Sequence, residues 1–291
     1  DRSITGVGFQ PDFTWNKARS NSNSHRLFDA IRGGTKGLMS DDTGAEYTDN
    51  GVKSFLSDGF VTSRTGGNSN DNGWTYVSWN WKANGSGSSN TAGSINSTVS
   101  ANADAGFSIV SYTGTGANAT VGHGLSSAPE LVIYKNRNDA GSTGSTNGNW
   151  IVQSTTIGVD DYLELNDTAA EAADSGYFRS TRPSSTLLTL GAYNSNNGSS
   201  DNLIAYCFHS VDGYSKVGSY TGNDAADGAF VYTGFTPKFI LFKNIDRAGQ
   251  DWGIYDSVRH TSNVLGDRLL ANSGAAEEAN TDNIDFVSNG F

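Results

Sequence analysis

Large apolar residues alternate with polar ones along most of this chain, in short runs bounded by turn pairs such as Asn-Gly and Asp-Gly. A period of two marks strands with one buried face. In Tyr76-Val77-Ser78-Trp79-Asn80-Trp81 and Ala205-Tyr206-Cys207-Phe208 the aromatic residues fall at every second position. Val77 and Cys207, at intervening positions, imply that the other face is partly covered too. Phe230-Val231-Tyr232 runs into Thr233-Gly234 as a strand runs into a turn. No amphipathic helix of three turns is evident. The best helical candidate, around Asn166 to Asp174, is Ala-rich but short enough to be a single turn.

One strand pattern is written three times. Gly8-Phe9-Gln10-Pro11-Asp12-Phe13-Thr14-Trp15-Asn16-Lys17 returns as Pro129-Glu130-Leu131-Val132-Ile133-Tyr134-Lys135. It returns again as Gly234-Phe235-Thr236-Pro237-Lys238-Phe239-Ile240-Leu241-Phe242-Lys243. Pro11, Pro129 and Pro237 each stand six residues before a lysine (Lys17, Lys135, Lys243), and each fits the first residue of a strand, where a missing N–H need not pair. An Ala-Glu pair follows each time, ending in Glu46, Glu171 and Glu277. Phe28-Asp29-Ala30-Ile31-Arg32 matches Tyr255-Asp256-Ser257-Val258-Arg259, and Ser111-Tyr112-Thr113-Gly114 matches Ser219-Tyr220-Thr221-Gly222. Tyr112 and Tyr220 lie 108 residues apart, as do Pro129 and Pro237. The expected unit is therefore about 110 residues, an ordinary domain size and too long for a solenoid repeat.

This predicts an all-β chain of tandem antiparallel β-sandwiches, jelly-roll or lectin-like, with six or seven strands in a full unit. The expected divisions are a first unit over 1–82, incomplete at its start, and a Gly/Ser/Asn-rich linker or arm over 83–105. A complete second unit follows over 106–217, then a third over 218–291, incomplete at its end. Within 83–105, Ile95 and Val99 suit a strand added to a neighbouring unit. The second and third units, joined by only a short boundary around Val211–Lys216, are expected to pack closely. The partial outer units read as a segment of a longer array, or as units completed by neighbouring chains.

Charged residues are 17% of the chain and aromatic residues 11%, a balance of short strands and polar turns. The net charge of −11, with 19 scattered basic residues, argues against nucleic acid, whose binding rests on clustered Lys and Arg. It argues equally against anionic membranes, and no apolar run is long enough for a spanning helix. Cys207 is the single cysteine, expected as a buried small hydrophobe.

Candidate chemistry is sparse. His25, His123, His209 and His260 have no second ligand at a metal spacing. His25 stands where Trp150 and Trp252 stand in the later copies, implying packing or surface exposure rather than ligation. Glu46, Glu171 and Glu277, one per unit at one position, read as structural, such as turn acceptors, rather than as a glycosidase pair. Asp41-Asp42, Asp160-Asp161 and Asn223-Asp224 with Asp227-Gly228 are oxygen-rich loops. Calcium is the one cofactor they could take, although none matches a twelve-residue calcium loop. Trp74, Tyr193 and Asn194 are the candidates for stacking on and bonding to a sugar ring.

The phrases Gly8–Phe13, Ser24-His25-Arg26-Leu27-Phe28-Asp29, Tyr76–Gly85 and Gly106–Gly114 resemble a repeat domain of unknown function found in marine tailed bacteriophages. The resemblance covers nearly the whole chain. It implies a non-enzymatic virion protein on the particle exterior, a tail fibre or comparable appendage with lectin-like or jelly-roll-like sandwiches. Its expected partners are copies of itself, in trimers, together with other virion proteins and a host surface glycan. A capsid decoration protein or head fibre is the first alternative, and a cellular surface adhesin or self-assembling extracellular filament the second. A carbohydrate-degrading enzyme is the remaining class.

Overall fold

A computed structural model describes residues 1–48, 51–63, 69–139, 148–225, 227–279 and 284–291. The first part of the chain carries β1 (Arg2–Thr5), β2 (Phe13–Ala18), β3 (Arg26–Asp29), β4 (Lys36–Gly37), β5 (Tyr47–Thr48), β6 (Ser54–Leu56), β7 (Gly59–Thr62) and β8 (Tyr76–Trp81). The middle carries β9 (Ser88–Asn90), β10 (Ser97–Asn102), β11 (Phe107–Thr113), β12 (Ala119–Gly122), β13 (Leu131–Asn136), β14 (Ile151–Ser154), β15 (Asp161–Glu164), β16 (Ala172–Ala173), β17 (Leu187–Leu190) and β18 (Asn202–Phe208). Two single-turn helices, α1 (Ser175–Phe178) and α2 (Asn194–Asn197), flank β17. The last part carries β19 (Phe239–Phe242), β20 (Gly253–Asp256) and β21 (Leu269–Leu270). The chain is all-β, and its paired strands form several antiparallel sheets.

The three proline–lysine patterns each form the first strand of a hairpin, and the three hairpins share one register. Phe13 faces Asp29, Leu131 faces Ser154 and Phe239 faces Asp256, each apolar residue lying two after its proline. A leucine then pairs with the outer side of each second strand: Leu38 with Leu27, Leu163 with Val152, Leu269 with Ile254. The prolines themselves lie just before the strands, not in their first position. The ladder of the first two hairpins begins one residue after each proline, where Asp12 N donates to Trp81 O and Glu130 N to Phe208 O.

On the other side of β2 lies β8, with Trp15 opposite Trp79 and Phe13 opposite Trp81. On the other side of β13 lies β18, with Ile133 opposite Tyr206 and Leu131 opposite Phe208. The second sheet continues through β11, β10 and β9 to eight strands. The stretch 83–105 thus lies on this sheet: β10 runs antiparallel to β11, and Ile95 and Val99 are buried. Small polar residues suffice there because β9 pairs through its backbone at an exposed edge.

One apolar core draws on all three hairpins. It includes Phe13, Trp15 and Leu27 of the first, Ile133, Trp150 and Val152 of the second, and Trp252, Ile254 and Leu269 of the third. Strand alternation gives each sheet a second face. That of the second sheet is buried separately, where Val110, Tyr134, Leu203 and Cys207 pack under Val121, Leu188 and Leu190 of the β12–β17 pair. Phe28, Val52 and Phe60 form a small equivalent in the first part.

Three segments depart from the strand and helix expectations, one of them Phe230–Tyr232, where Tyr232 makes only an isolated bridge to Gly290 because no neighbouring strand among those described extends the pairing. Residues 166–174 form turns and the short β16, and the helical turn begins only after them. Asp174 caps it by accepting from Gly176 N, because an aspartate stops a strand and starts a helix at the same point. Ser219-Tyr220-Thr221, a copy of part of β11, is irregular and exposed. The reason is pairing: β11 is held between β10 and β18, and no strand flanks residues 219–221 among those described.

Candidate functional site

The recurring residues meet where the hairpins meet. Trp150 Nε1 donates to Met39 O at 2.8 Å, and Trp252 Nε1 to Glu164 O at 2.9 Å. His25 takes the corresponding position in the first hairpin, with Nε2 2.9 Å from Leu270 O. Met39, Glu164 and Leu270 each directly follow the leucine that pairs with a hairpin's second strand. The backbone N–H groups of Glu46, Glu171 and Glu277 make a second set, donating to Arg137 O, Ile245 O and Arg19 O at 2.8 Å each. Those acceptors each lie two residues after the recurring lysine. Both sets link first to second, second to third and third to first, and so close a ring.

Ion pairs reinforce two of the three junctions. Arg137 holds Glu46 through both Nε and Nη2, at 2.8 and 3.0 Å. Arg19 holds Glu277 the same way, at 3.0 and 2.7 Å. Forked guanidinium–carboxylate contacts of this kind fix geometry as well as charge. Behind each glutamate a buried arginine completes the pattern: Arg32 bonds Asp29 and Glu46, and Arg259 bonds Asp256 and Glu277. Across the junctions the Tyr206 hydroxyl donates to Asp29 at 2.8 Å, and Trp79 Nε1 to Asp256 at 3.0 Å. Burial alone would raise the Glu46 and Asp256 carboxyls, yet the arginine charges and bonds hold both below the usual range.

The junction of second and third hairpins is built differently. Ile245 stands where the other two have Arg19 and Arg137, and Ile157 where they have Arg32 and Arg259. Ile157 is buried in the shared core and Ile245 packs against it. Glu171 keeps its backbone bond, but its shielded Oε2 has no hydrogen-bond partner among the described residues. Burial accordingly raises its carboxyl, with Asp161 and Asp246 adding to the effect. Each glutamate thus bonds the backbone of another hairpin. They act as inter-hairpin donors, and two as arginine acceptors, rather than as turn acceptors.

Two of the three lysines serve the same junctions. Lys135 Nζ donates to Thr43 O at 2.8 Å and Lys243 Nζ to Thr168 O at 3.3 Å, both across junctions, while Lys17 Nζ bonds Ala18 O. Burial pushes Lys17 and Lys135 down to about 8, opposed in part by Asp41 and Glu277 and by Asp139 and Asp42. Lys243, less buried, is lowered for the same reason.

His25 is fully buried rather than surface-exposed. Trp15 Nε1 donates to its Nδ1 at 2.7 Å, which places the proton on Nε2, facing Leu270 O. Burial and the charge of Lys17 drive the ring down to about 3. His123 is buried between Ser184 O and Leu125 N, and burial lowers it too. His209 bonds Ser210 O.

One arrangement escaped the sequence reading. His260 Nε2 lies 2.8 Å from Ser262 Oγ, and its Nδ1 3.4 Å from Asp267. The order is that of a hydrolase triad. Ser262 is exposed, however, and Asp267 is shared with Arg19 at 3.6 Å, so a cation competes with His260 for the acid. A spacing of two residues carries no known motif, which is why it was not legible.

No contact joins Trp74 to Tyr193 or Asn194 among the described residues. Trp74 is half-buried and stacks on Tyr76, with centroids 6.5 Å apart. Tyr193 is exposed but braced edge-on against Tyr177, and its hydroxyl donates to Asp174 at 3.0 Å. The backbone carbonyl of Asn194 accepts from Asn136 Nδ2 at 2.7 Å. The acidic loops bind their own backbone: Asp42 accepts from Gly44 N, Asp161 from Gly158 N and Asn223 from Ala225 N. Among the described residues no three His, Cys, Asp or Glu side chains converge as a metal site would need. A shallow recess lined by Ser94, Thr120, Arg179 and Leu190 lies at the β12–β17 pair.

A family model for a domain of unknown function, DUF7483, matches residues 1–291. The chain belongs to this family. No curated protein and no solved structure matches it.

Proposed function

We propose that this DUF7483 chain is a non-enzymatic structural protein of a phage virion, a tail fibre or comparable exterior appendage that presents β-layers to a host surface glycan. The observation that carries the structural part is the use made of the recurring residues. Glu46, Glu171, Glu277, Lys135 and Lys243 bond the backbone of another hairpin, so the residues a shared active site would need are engaged in assembly. Equal registers in the three hairpins support an origin as tandem copies of one unit of about 110 residues, each a sandwich in the making. The phage assignment rests on the resemblance of the long sequence phrases. Trimers and contacts with other virion proteins belong to the same proposal, as does glycan contact through Tyr193, the most exposed of the stacking candidates. Repeated weak sites would gain avidity through effective concentration.

Immunogold labelling of tailed particles with antibody against the chain tests this reading. Gold along the tail appendage is expected. Gold on the head transfers the protein to the decoration or head-fibre class, and cellular label without particle label to the adhesin or filament class. Incubation with host polysaccharide is expected to release no reducing ends. Turnover abolished by Glu171→Gln or Ser262→Ala would instead make the protein an enzyme.

A further inference from the structure

The recess at the β12–β17 pair holds polar side chains that the fold does not use. Val121 and Leu188 of this pair point into the core of the second sheet. Strand alternation therefore puts Thr120 and Thr189, directly opposite each other, on the outer face. Ser94 is fastened beside them: its N–H donates to Thr120 O, and Thr120 N to Ser94 Oγ, both at 2.9 Å. Gly93 permits this approach, since a side chain there would meet Thr120 O at 2.6 Å. Asn118 and Arg179 complete the rim, and Leu190 adds apolar surface. Among the described residues, the side chains of Asn118, Thr189 and Arg179 have no hydrogen-bond or ion-pair partner.

A surface arginine without a partner is ordinarily just solvated. The backbone of Arg179 sets it apart. Arg179 (φ 56°) and Ser180 (φ 51°) are both left-handed, a region whose usual occupants are glycine, asparagine and aspartate. Arg179 stands directly after α1, where helices commonly place a glycine. Surrounding bonds hold the turn nonetheless. Arg179 N donates to Ser175 O and Thr181 Oγ1 to Arg179 O, both at 2.8 Å, and Gln153 Nε2 donates to Thr181 O at 3.2 Å. Backbone strain maintained in this way gathers at ligand sites.

We infer that this recess binds a sugar bearing a carboxylate, one uronic acid ring of an acidic glycan. Its volume of about 350 Å³ lies at the lower end of small-ligand sites and suits a single ring. The guanidinium offers a fork of donors that matches a carboxylate. The Thr189 hydroxyl and the Asn118 side-chain amide each donate and accept, as sugar hydroxyls do. Leu190 faces the apolar C–H groups of the ring. The inference rests on the recess alone and holds wherever the chain is displayed.

Amide NMR shifts of the isotope-labelled 291-residue chain, titrated separately with D-glucuronate, D-glucose and acetate, test it. Shifts with glucuronate are expected at Ser94, Asn118, Thr120, Arg179 and Thr189. Glucose and acetate should each bind about tenfold or more weakly, lacking either the charge-assisted bonds or the ring. Arg179→Gln and Arg179→Gly should both weaken glucuronate binding by about tenfold or more. Arg179→Gly should keep or raise the melting temperature, because glycine relieves the left-handed turn. Four results would overturn the inference. They are no glucuronate shifts at these residues, equal affinity for glucose or acetate, affinity retained in either variant, or a lowered melting temperature in Arg179→Gly, which would make the arginine a structural cap. All are read on the isolated chain, so they are independent of where antibody labels a particle.

Discussion

At the scale of single residues, the junction arginines have the sharpest consequences. Arg32 and Arg259 side chains are almost wholly buried between two acids each. Removing one partner leaves uncompensated buried charge, a loss of about 3–5 kcal/mol. Arg32→Met and Arg259→Met are expected to lower unfolding free energy in urea by that amount, whereas Glu171→Gln, which has no cation to lose, should stay within about 0.5 kcal/mol. His25 gives a pH dependence of definite sign. Its folded pKa of about 3 lies below the unfolded value, so the unfolded chain takes the proton first. The stability it contributes is complete above about pH 6.5 and is lost as pH falls through the folded value. Thermal melts across that range should show the decline, and His25→Gln should flatten its upper part, where carboxylates do not yet titrate. His123, also lowered, leaves a remainder of the same sign.

At the scale of elements, the hairpin junctions hold more stability than the exposed aromatic sites. Trp150 is fully buried and donates across a junction. Trp150→Ala removes a large core side chain and orphans Met39 O, a cost of about 3–5 kcal/mol. Trp74→Ala, at a half-buried position stacked on one tyrosine, should cost under about 1 kcal/mol, and paired denaturant curves would separate the two. Much of this scale was legible: the alternation in β2, β8, β13 and β18, and the added strand β10, follow from the period of two. Residues 166–174 and 219–221 were not. An Ala-rich run has helix propensity but here pairs as a strand, and a strand-like run without a neighbour stays irregular. Both outcomes depend on partners distant in sequence.

At the scale of the whole molecule, the core crosses every boundary drawn from the sequence repeats. Because Trp15, Trp150 and Trp252 all belong to it, the three hairpins are expected to unfold together. Ile254→Ala should speed hydrogen exchange in β2 and β13 as well as in β20. Exchange faster only in β20 would mean independent units. The triangular closure is made inside one chain, through the bonds of Glu46, Glu171 and Glu277.

The amino-acid pattern by itself determined the all-β class and the recurrence of one strand pattern, because strand period and repetition are local properties. Only the tertiary structure decided that His25 substitutes for a tryptophan as an inter-hairpin bond, that Arg19 reaches Glu277 across the length of the chain, and that β19 pairs with β20 alone among the described residues. Those are matters of which distant groups meet, and the free energy of a buried charge or an unpaired strand is set by its partners rather than by its neighbours in sequence.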